Sequence, residues 1–252
     1  ARGKQHGEQV SWYADGSLSK IWNWHYKKPH GRWMEWYENG VTSFQGHYRY
    51  GKKHGKWVKY FEEKPEKVRF EGEFNHGIPV KTFTYYDYDG KIETVNVFRG
   101  NSGDCYSKQY DVKGNLEAEG IYVNRKKDST WTYFGLKQQL LSKEDYKQDV
   151  RDGWVIVFYP EGQIAEKTNY IKGVKDGDWL QKYGDGKLKA KGTYRSGSLE
   201  GEVIYYDMDG RPFYKGSYKM GLKVGKWYTF ERGKVIKKEV FVKGELTEEE
   251  EY

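Results

Sequence analysis

A 24-residue repeat runs through almost the whole chain and constrains its fold more than any other feature. Successive repeats start at Gly7, Gly31, Gly55, Lys81, Cys105, Ser129, Gly153, Gly177, Gly201 and Gly225, and every step is 24 residues except the third, which is 26. The two extra residues fit the segment from Glu62 to Glu66. We number positions within a repeat from its first residue, position 0. Such a period is typical of arrays in which each small unit packs on its neighbours.

Aromatic residues, glycine and aliphatic residues recur at fixed positions of the repeat. Position 5 is aromatic in nine of ten repeats, position 17 is aromatic almost throughout, position 9 is often Gly and position 11 is often Leu or Ile. Position 2 holds Trp33, Trp57, Phe83, Trp131, Trp179 and Trp227. The shared register of these columns makes the repeat a firm inference.

Each repeat has the pattern of one β-hairpin. Strands rich in aromatic and β-branched residues, such as 56–61 and 187–194, are separated by turns that contain Asn39-Gly40, Asp89-Gly90 or Asp209-Gly210. Asn-Gly and Asp-Gly readily adopt the positive φ angles of tight hairpin turns. The sequence therefore predicts an all-β fold: an elongated, twisted antiparallel sheet, or open β-solenoid, of ten 24-residue hairpins, with about 4.8 Å between strands.

One array is predicted over residues 1–247, followed by an acidic tail at 248–252 that we expect to be solvated and frayed. Residues 136–150 contain strong helix formers, yet Leu140 and Tyr146 keep the repeat columns, so the repeat is favoured there over a helix. Repeats 4 to 6 lack the starting glycine. The predicted array could therefore bend or loosen at residues 81–150, or carry a site there.

The composition suits a thin aromatic structure better than an ordinary globular core. Only 36% of residues are hydrophobic, 18% are aromatic, and 31 are Gly. Disordered chains lack so many aromatics. The sequence contains no run of 18 apolar residues, so no segment is expected to span a membrane. Cys105 is the single cysteine. The net charge of +7 permits a polyanionic partner without requiring one.

Segments such as Gly31-Arg32-Trp33-Met34-Glu35-Trp36-Tyr37-Glu38-Asn39-Gly40, Gly55-Lys56-Trp57-Val58-Lys59-Tyr60-Phe61 and Gly225-Lys226-Trp227 resemble the bacterial MORN-repeat variant. Proteins of this kind are grouped with the YwqK-like antitoxin family. The resemblance implies β-hairpin arrays that contact proteins or lipid headgroups or dimerise. Its antitoxin version implies a protein that neutralises a partner toxin, and it supplies no catalytic residues to carry over. The compartment stays open: cytoplasmic for an antitoxin-like protein, periplasmic or cell-surface if a leader peptide was removed. The departures in repeats 4 to 6 interrupt a continuous ligand face.

Three other patterns point to chemistry only weakly. His6, His30 and His54 share the position before the repeat start, but equivalent residues lie two strands, roughly 9.6 Å, apart, too far to share one zinc ion. Asp or Glu takes that place in later repeats, so a polar turn position is favoured. The segment 46–53 nearly matches a phosphate loop but lacks its Ser or Thr and the following helix. Cys105 has no nearby histidine base. We therefore predict no catalytic residue, metal or cofactor.

The aromatic columns support a binding hypothesis beside their packing role, because Trp and Tyr dominate interaction hot spots. Candidate binding residues are Trp33, Trp36, Trp57, Tyr60, Tyr86, Trp131, Trp179 and Trp227. The favoured function is non-enzymatic protein–protein binding, with antitoxin-type neutralisation as its most concrete version and self-association as an option. The alternatives are binding of an anionic lipid, glycan or, less favoured, nucleic acid; a structural spacer in a cell envelope; and, least favoured, an enzyme.

Overall fold

A computed structural model describes residues 6–252 of the chain. Strands cover most of these residues, and each pairs antiparallel with a strand adjacent in sequence. A single 3-10 turn at Leu136–Gln138 is the only helical segment in this described range. The chain divides into two compact bodies: the N-terminal body, Ala1–Arg125, and the C-terminal body, Lys126–Tyr252. The predicted all-β antiparallel hairpin fold is confirmed.

The N-terminal body contains ten strands within its described residues, which are two per repeat. They are β1 (Gly7–Trp12), β2 (Leu18–His25), β3 (Lys28–Trp36), β4 (Thr42–Arg49), β5 (Lys52–Tyr60), β6 (Val68–Asn75), β7 (Ile78–Tyr86), β8 (Ile92–Phe98), β9 (Cys105–Tyr110) and β10 (Leu116–Val123). Each pairs with the next from β1 to β10. The two inserted residues lie in the turn between β5 and β6, as predicted.

The C-terminal body contains eleven strands, all of them in the described range. They are β11 (Lys126–Phe134), β12 (Leu140–Lys147), β13 (Val150–Phe158), β14 (Ile164–Ile171), β15 (Val174–Lys182), β16 (Leu188–Arg195), β17 (Ser198–Tyr206), β18 (Pro212–Lys219), β19 (Leu222–Glu231), β20 (Lys234–Val242) and β21 (Glu245–Glu251). They also pair in sequence order.

The glycine at the start of a repeat serves a β-bulge. In the pairing of β4 with β5, Gln45 faces Val58 and His47 faces His54, so residues 55–57 oppose the single Gly46. Gly55 has φ of +71°, a conformation that glycine adopts without strain. Lys81 and Ser129 take φ of 59° at the same position. Repeat 5 differs, because β8 and β9 pair without a register shift through Cys105.

In several repeats, the core is an aromatic ring that lies on a glycine of the preceding repeat. A Cβ added at Gly46 would stand 2.2 Å from the Trp57 ring, and one at Gly216 would stand 2.1 Å from the Trp227 ring. Phe83 lies on Gly72 in the same way. These glycines occupy position 15, or its equivalent after the insertion, in one repeat, and the rings occupy position 2 of the next. Successive hairpins therefore interlock, which is how thin repeats bury apolar area.

Two ambiguous segments of the sequence are resolved by strand pairing. Residues 136–150 form the 3-10 turn and β12 rather than a longer helix, so the repeat holds there. The expectation that the tail at 248–252 frays is wrong, because Glu245–Glu251 pairs as β21 with β20. Two exposed ion pairs accompany this pairing: the ammonium of Lys237 lies 2.8 Å from Glu249, and that of Lys238 lies 3.0 Å from Glu250. A single array over 1–247 remains a prediction.

The contact of ring with glycine predicts a steep cost for one methyl group. Gly216→Ala should lower the free energy of unfolding by about 1–3 kcal/mol, because the new Cβ displaces the Trp227 ring. Gly184→Ala is the matched control in the same body, since that glycine has no atom within 4 Å of an added Cβ. Urea denaturation of both variants measures the difference. Equal stability of the two would contradict the interlocking.

Candidate binding surface

The predicted tryptophans at position 2 lie inside the sheet's packed face, which we call the core face. Trp57, Trp131 and Trp227 have no exposed surface, and Trp179 is 8% exposed. Trp33 is half-buried, with its ring 4.8 Å from that of Tyr48. A partner can reach the fully buried rings only through the side chains that cover them. Their observed role is packing, and a binding role for them remains a proposal.

Lysine stems cover several of these rings. The Lys53 ammonium lies 4.5 Å from the Trp57 ring centre and 5.1 Å from that of Phe74. Lys127 over Trp131 and Lys223 over Trp227 repeat the arrangement at 4.5 and 4.6 Å. Burial lowers the pKa of Lys53 from its ordinary value. An ammonium over an aromatic face is attracted by the ring's quadrupole, so these lysines seal the core face while their charge stays near water.

The predicted residues at position 5 lie on the opposite face, as strand alternation predicts. Trp36, Tyr60 and Tyr86 are half-buried. Tyr60 accepts a hydrogen bond from Gln45 at 2.7 Å, and Tyr86 donates one to Glu71 at 3.0 Å. These contacts hold the rings against polar neighbours instead of leaving a ladder of exposed rings. The structure thus divides the eight candidates between two faces and does not gather them into one patch.

Where the residue before the repeat start is polar, it stabilises the loop that closes the repeat in several repeats. Asp152 accepts a hydrogen bond from the Lys172 backbone N–H, and Asp176 accepts one from that of Ser196. His30 takes the same role through Nδ1, 3.3 Å from the Tyr50 nitrogen. Donor and acceptor are always twenty residues apart. These contacts account for the column as a polar turn position, which the sequence favoured.

Metal-ligand geometry and a reactive thiol were the other chemical options. Within residues 6–252, no group of three or more His, Cys, Asp or Glu side chains has a metal-binding arrangement. His25 lies between His6 and His30, with ring centres 5.1 and 5.4 Å away. Cys105 is buried, and burial together with Asp104 raises the pKa of its thiol to about 11. The thiol is therefore neutral near pH 7, which is the opposite of an activated nucleophile.

The opposite face of the C-terminal body carries a feature that the sequence reading missed. Strand pairing aligns residues into one row across the sheet: Thr132, Lys143, Ile156, Lys167, Leu180, Lys191, Ile204, Lys215, Tyr228, Lys238 and Glu250. We call Lys143, Lys167, Lys191, Lys215 and Lys238 the lysine row. With two strand spacings between them, successive lysines stand about 9.6 Å apart.

Most of the lysine row is free to meet an external anion. In the part of the chain that the structure describes, Lys143, Lys167, Lys191 and Lys215 form no ion pair, whereas Lys238 pairs with Glu250 at 3.0 Å. Aromatic rings hold the side chains: Lys167 lies 3.8 Å from the Trp154 ring centre, and Lys215 lies 5.6 Å from that of Phe230. The row therefore combines evenly spaced positive charges with lysine side chains that contact aromatic rings at Lys167 and Lys215.

A sequence signal for the lysine row exists at position 14. Repeats 6 to 9 have Lys there, and the shorter last turn moves the equivalent Lys238 by one residue. The same position in the first five repeats holds Ile21, Gln45, Glu71, Val95 and Glu119, counted after the insertion where needed. Neither the aromatic columns nor the net charge reveals this change at position 14. The alternation of Lys with Ile or Leu appears only after the strands are paired.

Comparison with known families supports the register of the repeat. The family model of the MORN repeat variant matches residues 5–26, 29–50, 151–172 and 175–196. Each match begins two residues before a repeat start, in repeats 1, 2, 7 and 8. Together the matches cover about a third of the chain. The chain therefore carries MORN-variant repeats in each of its two bodies, and the resemblance seen in the sequence is confirmed at these four places.

No curated protein sequence matches the chain. Among solved structures, the TcdB2–TccC3–Cdc42 complex is similar over 92% of this chain and 14% of the matched chain, with 12% identity and a TM-score of 0.20. A Photorhabdus luminescens Tc holotoxin pore is similar over 94% and 13%, with 12% identity and the same TM-score of 0.20. The chain thus spans about a seventh of the length of these solved chains. Likeness at this level says nothing of function.

No helix within residues 6–252 has the length and apolar character needed to cross a membrane.

The burial pattern predicts which tryptophans the fold requires. Trp57→Leu should lower the free energy of unfolding by about 3 kcal/mol, because a fully buried ring is replaced by a smaller side chain. Trp12→Leu is the matched control in the same body, since Trp12 is 62% exposed, and its effect should stay below about 0.5 kcal/mol. Guanidinium denaturation measures both. A larger loss for Trp12 than for Trp57 would contradict the assignment of position 2 to packing.

Proposed function

We propose that the chain is a non-catalytic binding scaffold whose C-terminal body binds an acidic surface of a protein partner. The lysine row carries this proposal: four of its five ammonium groups lack a carboxylate partner among the described residues. The spacing of about 9.6 Å between successive lysines is close to the Debye length of about 8 Å at physiological salt. The lysines therefore repel one another only weakly, and together they attract anions. Arrayed carboxylates on a partner would neutralise several at once.

An ion pair at the end of the row supports this proposal. The acidic strand β21 lies beside β20, and its Glu250 meets Lys238 at 3.0 Å. Each further lysine toward Lys143 offers the same group without that partner. A segment with carboxylates directed at this face would continue the pattern. A second copy of the chain contains such a segment in β21, so self-association is a specific form of the proposal.

The residues between the lysines favour protein over other polyanions. Ile156, Leu180 and Ile204 alternate with the lysines across the strands. Aliphatic side chains bury against apolar protein groups, whereas sites for single-stranded nucleic acids rely on aromatic stacking. Phosphate-rich or sulfate-rich polymers would use only the charges. Anionic lipids and glycans remain the alternative function, which the same lysines would serve.

A narrower proposal follows from the repeat type. The partner would be a toxin that the chain neutralises, as the MORN-variant resemblance implies for antitoxin-like proteins. Its support is the repeat match together with an open, charged face. Co-expression with the product of a neighbouring gene tests it: growth arrest by that product, relieved by this chain, is the expected result. Partner binding without growth effects would remove the toxin version alone.

Charge reversal in the lysine row predicts loss of binding to an acidic, partly apolar peptide. The probe is a peptide of alternating Glu and Leu, and poly-L-glutamate is the comparison. The wild-type chain should bind the alternating peptide more tightly at 150 mM salt, because Ile156, Leu180 and Ile204 add apolar contacts. Lys167→Glu, Lys191→Glu and Lys215→Glu combined should weaken binding at least a hundredfold, since three attractive contacts become repulsive. Biolayer interferometry measures the affinities.

A matched variant separates the row from overall charge. Lys147→Glu, Lys219→Glu and Lys234→Glu combined change the net charge equally at exposed positions of the same body outside the row, and should change affinity less than threefold. Binding to heparin and to phosphatidylserine vesicles is measured in parallel. The protein proposal fails if the row variant loses heparin or vesicle binding while neither peptide binds the wild-type chain.

A further inference from the structure

A cavity opens on the core face of the N-terminal body, at the repeat that departs most from the pattern. Its volume is about 890 Å³, and it lies among strands β6 to β10. Five aromatic side chains contribute to its wall: Phe74, Phe83, Tyr85, Phe98 and Tyr122. The remaining lining includes Asn96, Gly103, Cys105 and Arg125. Neutral Cys105 adds apolar surface rather than charge.

Two small residues in repeat 5 lie at this place: Gly103 lines the cavity, and Ser107 lines the smaller opening that adjoins it. In other repeats, the residue two before the start and the residue at position 2 fill the core face together: Lys53 with Trp57, Pro79 with Phe83, Leu199 with Val203, and Lys223 with Trp227. Repeat 5 has Gly103 and Ser107 at these places. Both bulky members of the pair are therefore missing at once. The opening follows from the sequence and not from a choice of side-chain rotamer.

The aromatic residues of the cavity wall lie where other repeats pack a ring between two neighbouring rings. Phe83 packs between Phe74 and Phe98, with ring centres 5.0 and 5.2 Å away and edge-on geometry on both sides. Trp57 packs in the same way between Tyr48 and Phe74, at 5.0 and 6.1 Å. In repeat 5 the corresponding pair is Phe98 and Tyr122, which both line the cavity. Aromatic pairs prefer such edge-on and offset contacts.

Two polar side-chain atoms without partners lie at the edge of the cavity: one belongs to Asn96, which lines it, and the other to Ser107, which lines an adjoining smaller opening. Ser107 has no exposed surface, and its Oγ has no hydrogen-bond partner. Asn96 stands directly across from it in the pairing of β8 with β9, and its Oδ1 is also buried without a partner. A smaller opening of about 260 Å³ is lined by both residues and shares Tyr85, Asn96 and Tyr122 with the cavity. Buried polar atoms are nearly always hydrogen-bonded, so this pair calls for a donor.

We propose that this cavity, the ring pocket, binds a planar aromatic ring of about the size of indole that carries an N–H donor. The ring lies between Phe98 and Tyr122, in the place that Trp occupies in other repeats. Small rearrangement of the Asn96 amide opens the two oxygens to the N–H. The ligand is either a free small molecule or the tryptophan side chain of a partner, which share this chemistry. The ring pocket is independent of the lysine row, which lies in the other body.

Calorimetric titration of the full chain with indole tests the ring pocket. One saturable site is expected for the wild type. Ser107→Ala should weaken indole binding about fivefold, because one acceptor is lost while the pocket keeps its volume. The comparison probe is 1-methylindole, which has the ring without the donor. It should bind the wild type about fivefold more weakly than indole does and should not distinguish the wild type from Ser107→Ala.

Filling the pocket from within gives the second arm. Asn96→Gly combined with Ser107→Trp restores the ring and the glycine beneath it that other repeats have, and should abolish indole binding. Circular dichroism and melting show whether this variant folds; the Ser107→Ala and 1-methylindole comparison decides the matter if it does not. N-acetyltryptophanamide distinguishes the sources: binding as tight as indole supports a partner's side chain, and exclusion supports a free small molecule. Absence of indole binding at millimolar concentration, or equal binding by the filled variant, overturns the proposal.

Discussion

The rest of this structure depends on one contact, in which an aromatic ring from one hairpin lies on a glycine of the hairpin before it. A sheet of this type has no second layer of helices to bury its apolar side chains. Laying Trp57 flat on Gly46 buries the ring completely within the thickness of side chains that the sheet itself provides. Because ring and glycine belong to different repeats, each hairpin depends on its neighbour. A repeat in isolation would expose both the ring and the bare backbone beneath it.

The same contact explains how the repeats vary together. Where position 15 is glycine, the next position 2 is fully or almost fully buried, as with Phe83 after Gly72 and Val203 after Gly192. Where position 15 is Asn96 or Glu144, the next position 2 is Ser107 or Val155, and no large ring follows. Glu144 instead accepts hydrogen bonds from Tyr146 and Arg151. Thr168 followed by Trp179, at 8% exposure, is intermediate. A polar or bulky side chain at position 15 is thus accompanied by different packing at position 2 of the next repeat.

Much of the fold could be predicted from the sequence because period and turn chemistry act locally. Asp-Gly turns and aromatic columns place nearly every strand, and the repeat start predicts where glycine must adopt positive φ. The sites were harder to predict for a geometric reason. Burial of Trp57 depends on Gly46, eleven residues earlier, and the lysine row appears only when Lys167 is paired with both Ile156 and Leu180. The strand β21 escaped prediction because four consecutive glutamates suggest repulsion, whereas Lys237 and Lys238 of β20 pair with two of them, Glu249 and Glu250.

The two bodies therefore use one hairpin design for different surfaces. The interlocked core face fixes positions 2, 15 and 17, and leaves position 14 on the opposite face free to vary. In the N-terminal body that position is apolar, polar or acidic, and Glu71 there is already paired with Lys56 at 2.7 Å. In the C-terminal body it becomes a run of lysines, of which only Lys238 has an ion-pair partner, Glu250, among the described residues. Such a change costs the fold little, because surface lysines contribute little to stability. Packing alone does not explain why five consecutive repeats have lysine in this row. An anion that contacts these lysines in parallel would explain it.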